Sequence, residues 1–314
     1  MSQVFFDQLG LAEPKHRLAN ATGGHGSQTA VMLEGIERVS LQEKPRAMLV
    51  YGDSNSTLAG ALVGAKLLVP VIHVEAGLRS FDRRMPEEIN RVITDRISSL
   101  LFCPSEVAAQ NLRNEGITTP AHVVGDVMLD VLKQIGGRAS LSDGFLGARG
   151  LTDGAYILAT IHRAENTDDR ERLSAIVHGL RSIAATMPVL FPVHPRTAKQ
   201  IARFGLDLDP VRAVEPLGYL EMAGALAHCR RVITDSGGLQ KEAHFCRKPC
   251  VTVRDSTEWV ETLEGGWNVL APPDAETLRR LAFSHEPSQA WSPLYGDGAA
   301  AEAIVSHTIE FLRQ

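Results

Sequence analysis

Short apolar runs alternate with amphipathic stretches along almost the whole chain. In the first half, four apolar runs are bounded by turn residues, which is typical of buried parallel strands. They cover 47–53, 70–75, 100–105 and 121–126. The stretches that space their apolar residues as one face of a helix does cover 56–68, 86–98 and 105–116. The first half therefore predicts strands that alternate with helices.

The periodic pattern is interrupted over residues 135–154, where Gly, Ser and Asp accumulate, and we place a domain boundary in this segment. Strand patterns then resume and cover 155–161, 188–193, 211–217, 231–235 and 248–253. The tail, residues 298–314, predicts a final helix.

Strands that alternate with helices are typical of a parallel sheet covered on both faces. The predicted fold is therefore α/β, with two Rossmann-like domains over residues 1–145 and 150–297 and a ligand cleft between them. The final helix is expected to pack back on the first domain.

Composition and charge narrow the class of protein. The 314 residues are 44% hydrophobic and 22% charged, which is typical of soluble globular chains. A net charge of −5 gives no reason to expect nucleic acid or an anionic membrane as a partner. No apolar run approaches the length of a membrane span, and the four cysteines form no C-x-x-C pair, so we expect a cytoplasmic protein with reduced thiols.

Polar residues follow several of the predicted strands. Asp53 closes the first predicted strand and Glu75 closes the second. His162 and Arg163 follow the predicted strand at 155–161. Ligands of open α/β sheets bind at the carboxyl ends of the strands, so these residues are candidates for a site.

Two other patterns allow more than one interpretation. The Ser236–Gly237–Gly238 turn precedes a predicted helix, where it is either a plain helix start or an anion site made of free backbone N–H groups. His73 and Glu75 form an H-x-E pattern like that of zinc deaminases, but no P-C-x-x-C follows, so we predict no metal site.

Several motifs along nearly the full chain resemble those of the non-hydrolysing UDP-N-acetylglucosamine 2-epimerases. They are "VYGDSNSTLAG", "HVEAGLRS", "TIHRAEN", "HPR", "DSGGLQKEA" and "YGDGAAAEAIV". The resemblance implies a fold similar to the GT-B glycosyltransferases, a UDP-sugar substrate, a homodimer and no added cofactor. It also implies elimination of UDP to a 2-acetamidoglucal, followed by re-addition with the opposite configuration at C2.

The resemblance carries roles onto individual positions. Asp53, Glu75 and Glu87 match the three catalytic carboxylates of the family. His162 matches a residue that contacts the diphosphate. Ser236, Gly237, Gly238 and Glu242 match other substrate-binding residues of the family. Arg163 lies beside His162 at the strand end and is a further candidate for substrate binding.

This chain also departs from the family pattern. The frequent "TERPE" motif appears as "TEWVE" over 257–261, so Trp259 replaces an arginine. This leaves open a UDP-2,3-diacetamido-glucuronate 2-epimerase. The chain begins at a point that follows the first β-α-β unit of the family, so the resemblance implies an incomplete N-terminal domain with impaired activity. A GT-B glycosyltransferase and a truncated, non-catalytic nucleotide-sugar-binding remnant remain alternatives.

Overall fold

The computed structural model describes residues 12–19, 22–135 and 144–313. These residues form two compact units. The N-terminal unit contains the described residues 12–19, 22–131 and 294–313, and the C-terminal unit contains the described residues 132–135 and 144–293. Residues 136–143 of the predicted boundary segment lie outside the described part of the chain.

The N-terminal unit is built on a four-stranded parallel sheet with the order β1-β2-β3-β4. Its strands are β1 (Met48–Tyr51), β2 (Val71–Val74), β3 (Leu100–Cys103) and β4 (Ala121–Val123). The helices before and between them are α1 (His25–Glu43), α2 (Asn55–Lys66), α3 (Pro86–Ile97) and α4 (Glu106–Asn114). The chain then continues into α5 (Val127–Ile135) and α6 (Phe145–Ala148).

The C-terminal unit contains a six-stranded parallel sheet with the order β10-β9-β8-β5-β6-β7. Its strands are β5 (Ile157–Thr160), β6 (Val189–Pro192), β7 (Arg212–Val214), β8 (Arg231–Thr234), β9 (Cys250–Thr252) and β10 (Asn268–Leu270). Its helices are α7 (Ala164–Thr167), α8 (Arg170–Ala184), α9 (Pro195–Phe204), α10 (Tyr219–His228), α11 (Gly237–Phe245) and α12 (Ala275–Ser284), and a 3₁₀ segment covers Val260–Gly266. The last helix of the chain, α13 (Ala300–Phe311), belongs to the N-terminal unit.

Most strands form where the predicted apolar runs lie, and the central strands of both sheets are covered on both faces. All residues of β2, β3, β5, β6 and β8 are buried. Helix α13 contributes Ile304 to the core formed by strands β2 and β3. The α/β fold with two parallel sheets is confirmed.

Several elements were not expected from the pattern, and helix α1 and strand β10 show why. Helix α1 begins after Gly24 without a side-chain cap, so it lacks the usual start signal. Strand β10 has three residues, which is too short for a recognisable alternation of apolar and polar positions. Among the described residues, no helix is long and apolar enough to cross a membrane.

Candidate active site

The first candidate carboxylate, Asp53, lies in the turn between strand β1 and helix α2. Gly52 makes this turn with a φ of 64°, a left-handed conformation that glycine adopts without steric cost. Ser54 caps helix α2 by accepting a hydrogen bond from the backbone N–H of Thr57. The sheet and the helix therefore fix the Asp53 backbone from both sides.

An arginine that the sequence motifs did not single out holds the Asp53 side chain. Arg91, on helix α3, donates from Nε and Nη2 to Asp53 Oδ2 at 3.0 and 2.6 Å. The side chain of Arg91 is buried, and it also donates to Glu88 Oε2 at 2.9 Å. Asn90 donates to the backbone carbonyl of Asp53. Arg91 lies one helical turn after Glu87, and this spacing from a candidate carboxylate is a signal that could have revealed it.

Glu75 follows strand β2 and lies against the same turn. Its φ is 72°, which is unfavourable for a residue with a side chain and is found most often at functional sites. A Cβ atom at Gly52 would lie 3.2 Å from Glu75 Oε2, so the two strand ends are in close contact. The backbone conformation of Glu75 directs its carboxylate towards the Gly52–Asp53 turn.

Asp53 and Glu87 line one cavity of about 290 Å³ in the N-terminal unit. Glu87 lies in the first turn of helix α3, which begins at Pro86. The other lining residues are His25, Gln28, Met32, Ser54, Asn55, Ser56, Pro86 and Asn90. Glu75 lines no part of this cavity. The structure thus brings two of the three candidate carboxylates to one cavity and the third to the adjoining turn.

The neighbouring acid, Glu88, has a different role. It is buried and accepts hydrogen bonds from the backbone N–H groups of Ser80 and Phe81. Glu88 therefore holds the loop before helix α3 in place. Glu87, one residue earlier, remains at the cavity.

In the C-terminal unit, His162 and Arg163 follow strand β5, and a buried aspartate holds their backbone. Asp235 follows the adjacent strand β8 and accepts hydrogen bonds from the backbone N–H groups of His162 and Arg163, each at 3.0 Å. It also accepts one from the side chain of Asn166 at 3.1 Å. Asp235 directly precedes the Ser236 turn, and it is a site residue that was not predicted from the sequence.

His162 has a pKa below the usual range of histidine. Burial lowers the pKa, the carboxylate of Asp235 opposes this, and the neighbouring His194 and Arg163 add to the lowering. The net shift is downward, so the imidazole is neutral at pH 7. A neutral ring can donate one hydrogen bond to an anion without supplying a full charge.

A cavity of about 250 Å³ in the C-terminal unit contains four of the candidate residues: His162, Ser236, Gly238 and Glu242. Ser236 caps helix α11. Gly238 lies in the first turn of this helix, and a Cβ atom there would have no neighbour within 4 Å. The helix N-terminus and its free N–H groups therefore face open space suited to an anion.

Gly237 and Arg163 lie outside the lining of this cavity. A Cβ atom at Gly237 would lie 2.5 Å from Glu258 Oε1, and Arg163 Nη2 is 3.9 Å from the same oxygen. Glu258 is buried and accepts a hydrogen bond from Arg254 at 2.9 Å. Gly237 is thus a position of close packing against Glu258.

Trp259 is buried within the C-terminal unit, with 3% of its surface exposed. The Nζ atom of Lys241 lies 4.0 Å from the centre of the Trp259 ring, a cation–π distance. Thr257 accepts a hydrogen bond from the Trp259 backbone N–H. The indole therefore packs against helix α11 and is not presented at the surface.

Each unit offers a distinct chemistry. The N-terminal cavity has two carboxylates that can take up or return a proton, with Glu75 beside them. The C-terminal cavity has a helix N-terminus and a neutral imidazole, which are donors suited to phosphate oxygens.

Comparisons with known proteins show the family to which the chain is similar. A UDP-2,3-diacetamido-2,3-dideoxy-D-glucuronate 2-epimerase from Pseudomonas aeruginosa is 49% identical over 98% of this chain and 87% of its own length. The UDP-N-acetylglucosamine 2-epimerase of Methanocaldococcus jannaschii is 43% identical over 97% of this chain and 86% of its own. The crystal structure of the M. jannaschii enzyme in complex with UDP-GlcNAc and UDP is similar to this chain, with 42% sequence identity and a TM-score of 0.89. The match covers 98% of this chain and 88% of the M. jannaschii chain.

A family model described as UDP-N-acetylglucosamine 2-epimerase matches residues 1–309. The match spans nearly the whole sequence, and the relatives above are well over 30% identical. The chain therefore belongs to the UDP-N-acetylglucosamine 2-epimerase family.

Proposed function

We propose that the protein interconverts UDP-N-acetylglucosamine and UDP-N-acetylmannosamine by inverting C2 of the sugar. The observation that carries this proposal is the cavity lined by Asp53, which follows strand β1, and by Glu87, in the first turn of helix α3. The similar M. jannaschii structure, which is a complex with UDP-GlcNAc and UDP, supports the choice of substrate.

The chemistry explains why carboxylates are needed. The C2 proton of the sugar has no adjacent carbonyl to acidify it, so a carboxylate alone removes it poorly. As the C1–O bond to UDP lengthens, positive charge develops on the ring and the C2 proton becomes more acidic. A carboxylate then takes the proton, the C1=C2 double bond forms, and the electrons of the C1–O bond leave with UDP.

The reverse addition completes the epimerisation. UDP adds to C1 of the 2-acetamidoglucal, and a proton is returned to the opposite face of C2. We propose that Asp53, Glu75 and Glu87 share the roles of base, acid and stabiliser of the cationic ring. We also propose that His162, Ser236 and the Gly238 backbone hold the diphosphate, while Glu242 holds the ribose hydroxyls.

A second candidate substrate is UDP-2,3-diacetamido-2,3-dideoxy-glucuronate. The observation that favours it is the 49% identity to the P. aeruginosa 2-epimerase, which is named for this substrate. The same proton transfer at C2 serves both sugars, because both carry an acetamido group there. Trp259 does not separate the two, since its indole is buried.

The experiment that tests the function is proton NMR of each UDP-sugar incubated with the protein in D₂O. We expect deuterium at C2 together with the C2 epimer, and a faster reaction with UDP-GlcNAc than with the diacetamido-glucuronate. Faster labelling of the second sugar would select the second candidate. Transfer of the sugar to an acceptor without C2 labelling would indicate a glycosyltransferase, and no reaction with either sugar would refute the epimerase.

The two glycines of the helix α11 turn allow a matched test of the diphosphate site. Gly238→Val should weaken UDP binding by about tenfold or more, because its side chain enters the cavity while touching no protein atom. Gly237→Ala should instead lower the melting temperature, because its Cβ displaces the buried Glu258. Calorimetry and thermal unfolding measure the two effects. Wild-type UDP affinity in Gly238→Val would identify the turn as a plain helix start.

A further inference from the structure

His73 is a fully buried histidine in strand β2, two residues before Glu75. Its Nδ1 atom lies 2.7 Å from Asp95 Oδ1, and its Nε2 atom lies 2.8 Å from the backbone carbonyl oxygen of Gly52. Both ring nitrogens therefore have a protein partner. Neither nitrogen offers a lone pair to a metal ion.

The two partners determine the protonation of the ring. The Gly52 carbonyl oxygen is an acceptor, so Nε2 carries a hydrogen. Asp95 Oδ2 accepts hydrogen bonds from the Arg79 guanidinium at 2.7 Å and from the Gly77 backbone N–H at 3.1 Å. The buried charge of Arg79 favours the ionised carboxylate, so Oδ1 is an acceptor and Nδ1 carries a hydrogen as well. His73 is thus a buried imidazolium.

The titration of the pair agrees with this assignment. Burial disfavours the charged ring, but the hydrogen bond and charge of Asp95 and the Gly52 carbonyl outweigh it, so the pKa of His73 is raised. Burial also disfavours the Asp95 carboxylate, but His73 and Arg79 outweigh it, so the pKa of Asp95 is lowered.

The charged groups around His73 come from three places. Asp95 faces the ring from helix α3, and Glu75 lies beyond the end of β2 and attracts the ring through space. Arg79, in the loop before α3, pairs with Asp95 and with Glu115 at the end of helix α4. The imidazolium therefore lies under the turn where two candidate carboxylates meet.

We propose that His73 is a positioning residue of the epimerase. As a buried cation, it fixes the Gly52 carbonyl and with it Asp53. It also places a positive charge beside Glu75. This role rests on the proposed function. The hydrogen bond to Gly52 sets the turn that presents Asp53, which is the next residue.

The variant His73→Gln tests this role, because glutamine can still donate to Gly52 but carries no charge. We expect kcat to fall by about 10-fold to 100-fold, the scale of small displacements at a reacting centre. We also expect the acidic limb of the kcat/KM–pH profile to move to higher pH, because the site loses the buried positive charge of His73. UDP affinity should stay unchanged, since the proposed UDP-binding residues belong to the C-terminal unit.

Asp95→Asn is a second variant with the same expected shift of the pH profile, and it serves if His73→Gln fails to fold. His228→Gln is the matched control, because His228 is on the protein surface and bound to Asp153. It should leave kcat and the profile unchanged. A merely structural His73 would give a lower melting temperature with an unmoved pH profile, and that result would overturn the proposal.

The ¹⁵N NMR signals of the His73 ring in the wild-type protein supply a readout that needs no activity. We expect both nitrogens to be protonated at pH 7 to 8. A neutral tautomer would overturn the buried cation, even in an active epimerase. Protonated nitrogens in a protein that labels neither UDP-sugar would refute the proposed function while leaving the charge of His73 established.

Discussion

Replacing Asp53 with asparagine is expected to reduce turnover by roughly 10²-fold or more, the scale of a general acid–base contribution. The amide has nearly the shape of the carboxylate but cannot take up a proton at C2. Glu87→Gln and Glu75→Gln are expected to reduce turnover on the same scale. In all three variants the affinity for UDP should persist, because the proposed diphosphate site lies in the other unit.

The measurements are C2 epimerisation followed by NMR and UDP binding followed by calorimetry. Asp82→Asn is the matched control. Asp82 is an acid in the loop between strand β2 and helix α3, and it pairs with Arg84 at the surface. It should keep wild-type turnover. Retention of full turnover by all three amides would refute the carboxylate mechanism.

Replacing Arg79 with methionine is expected to destabilise the N-terminal unit by about 3–5 kcal/mol, the cost of removing one partner from a buried ion pair. Arg79 has 2% of its surface exposed and pairs with Asp95 at 2.7 Å and with Glu115 at 2.6 Å. Without the guanidinium, Asp95 remains buried with His73 as its main counter-charge.

Arg84→Met is the comparison, because Arg84 lies in the same loop and its side chain is 91% exposed. Exposed pairs contribute about 0–1 kcal/mol, so we expect little loss of stability. Denaturant unfolding of both variants measures the difference. Equal losses would show that burial of the Arg79 pair does not govern the stability of this loop.

The sequence by itself determined the fold class and the order of most elements. Most strands lie inside the predicted runs, as β3 lies inside 100–105, because residues buried on both faces of a parallel sheet are mostly apolar. Residues at strand ends were found in the same way, since a polar side chain directly after such a run lies where the sheet meets solvent. Asp53, Glu75 and His162 are of this kind.

Helix α1 and strand β10 were missed because one lacks a side-chain cap and the other is too short for a periodic pattern. The tertiary structure alone showed that Arg91 holds Asp53 across 38 positions of sequence and that Asp235 holds the backbone of His162. Such partners come together only when the folded chain brings separate helices and strand ends into contact.

Only the tertiary structure also decided which member of a motif performs which task. At the start of helix α3, Glu87 lies at the cavity while Glu88 holds the preceding loop. In the turn before helix α11, Gly238 faces open space while Gly237 packs against Glu258. The charge of His73 depends on two acceptors brought to it by folding. Local sequence places residues along the chain, but their protonation and contacts depend on neighbours that the folded chain brings together.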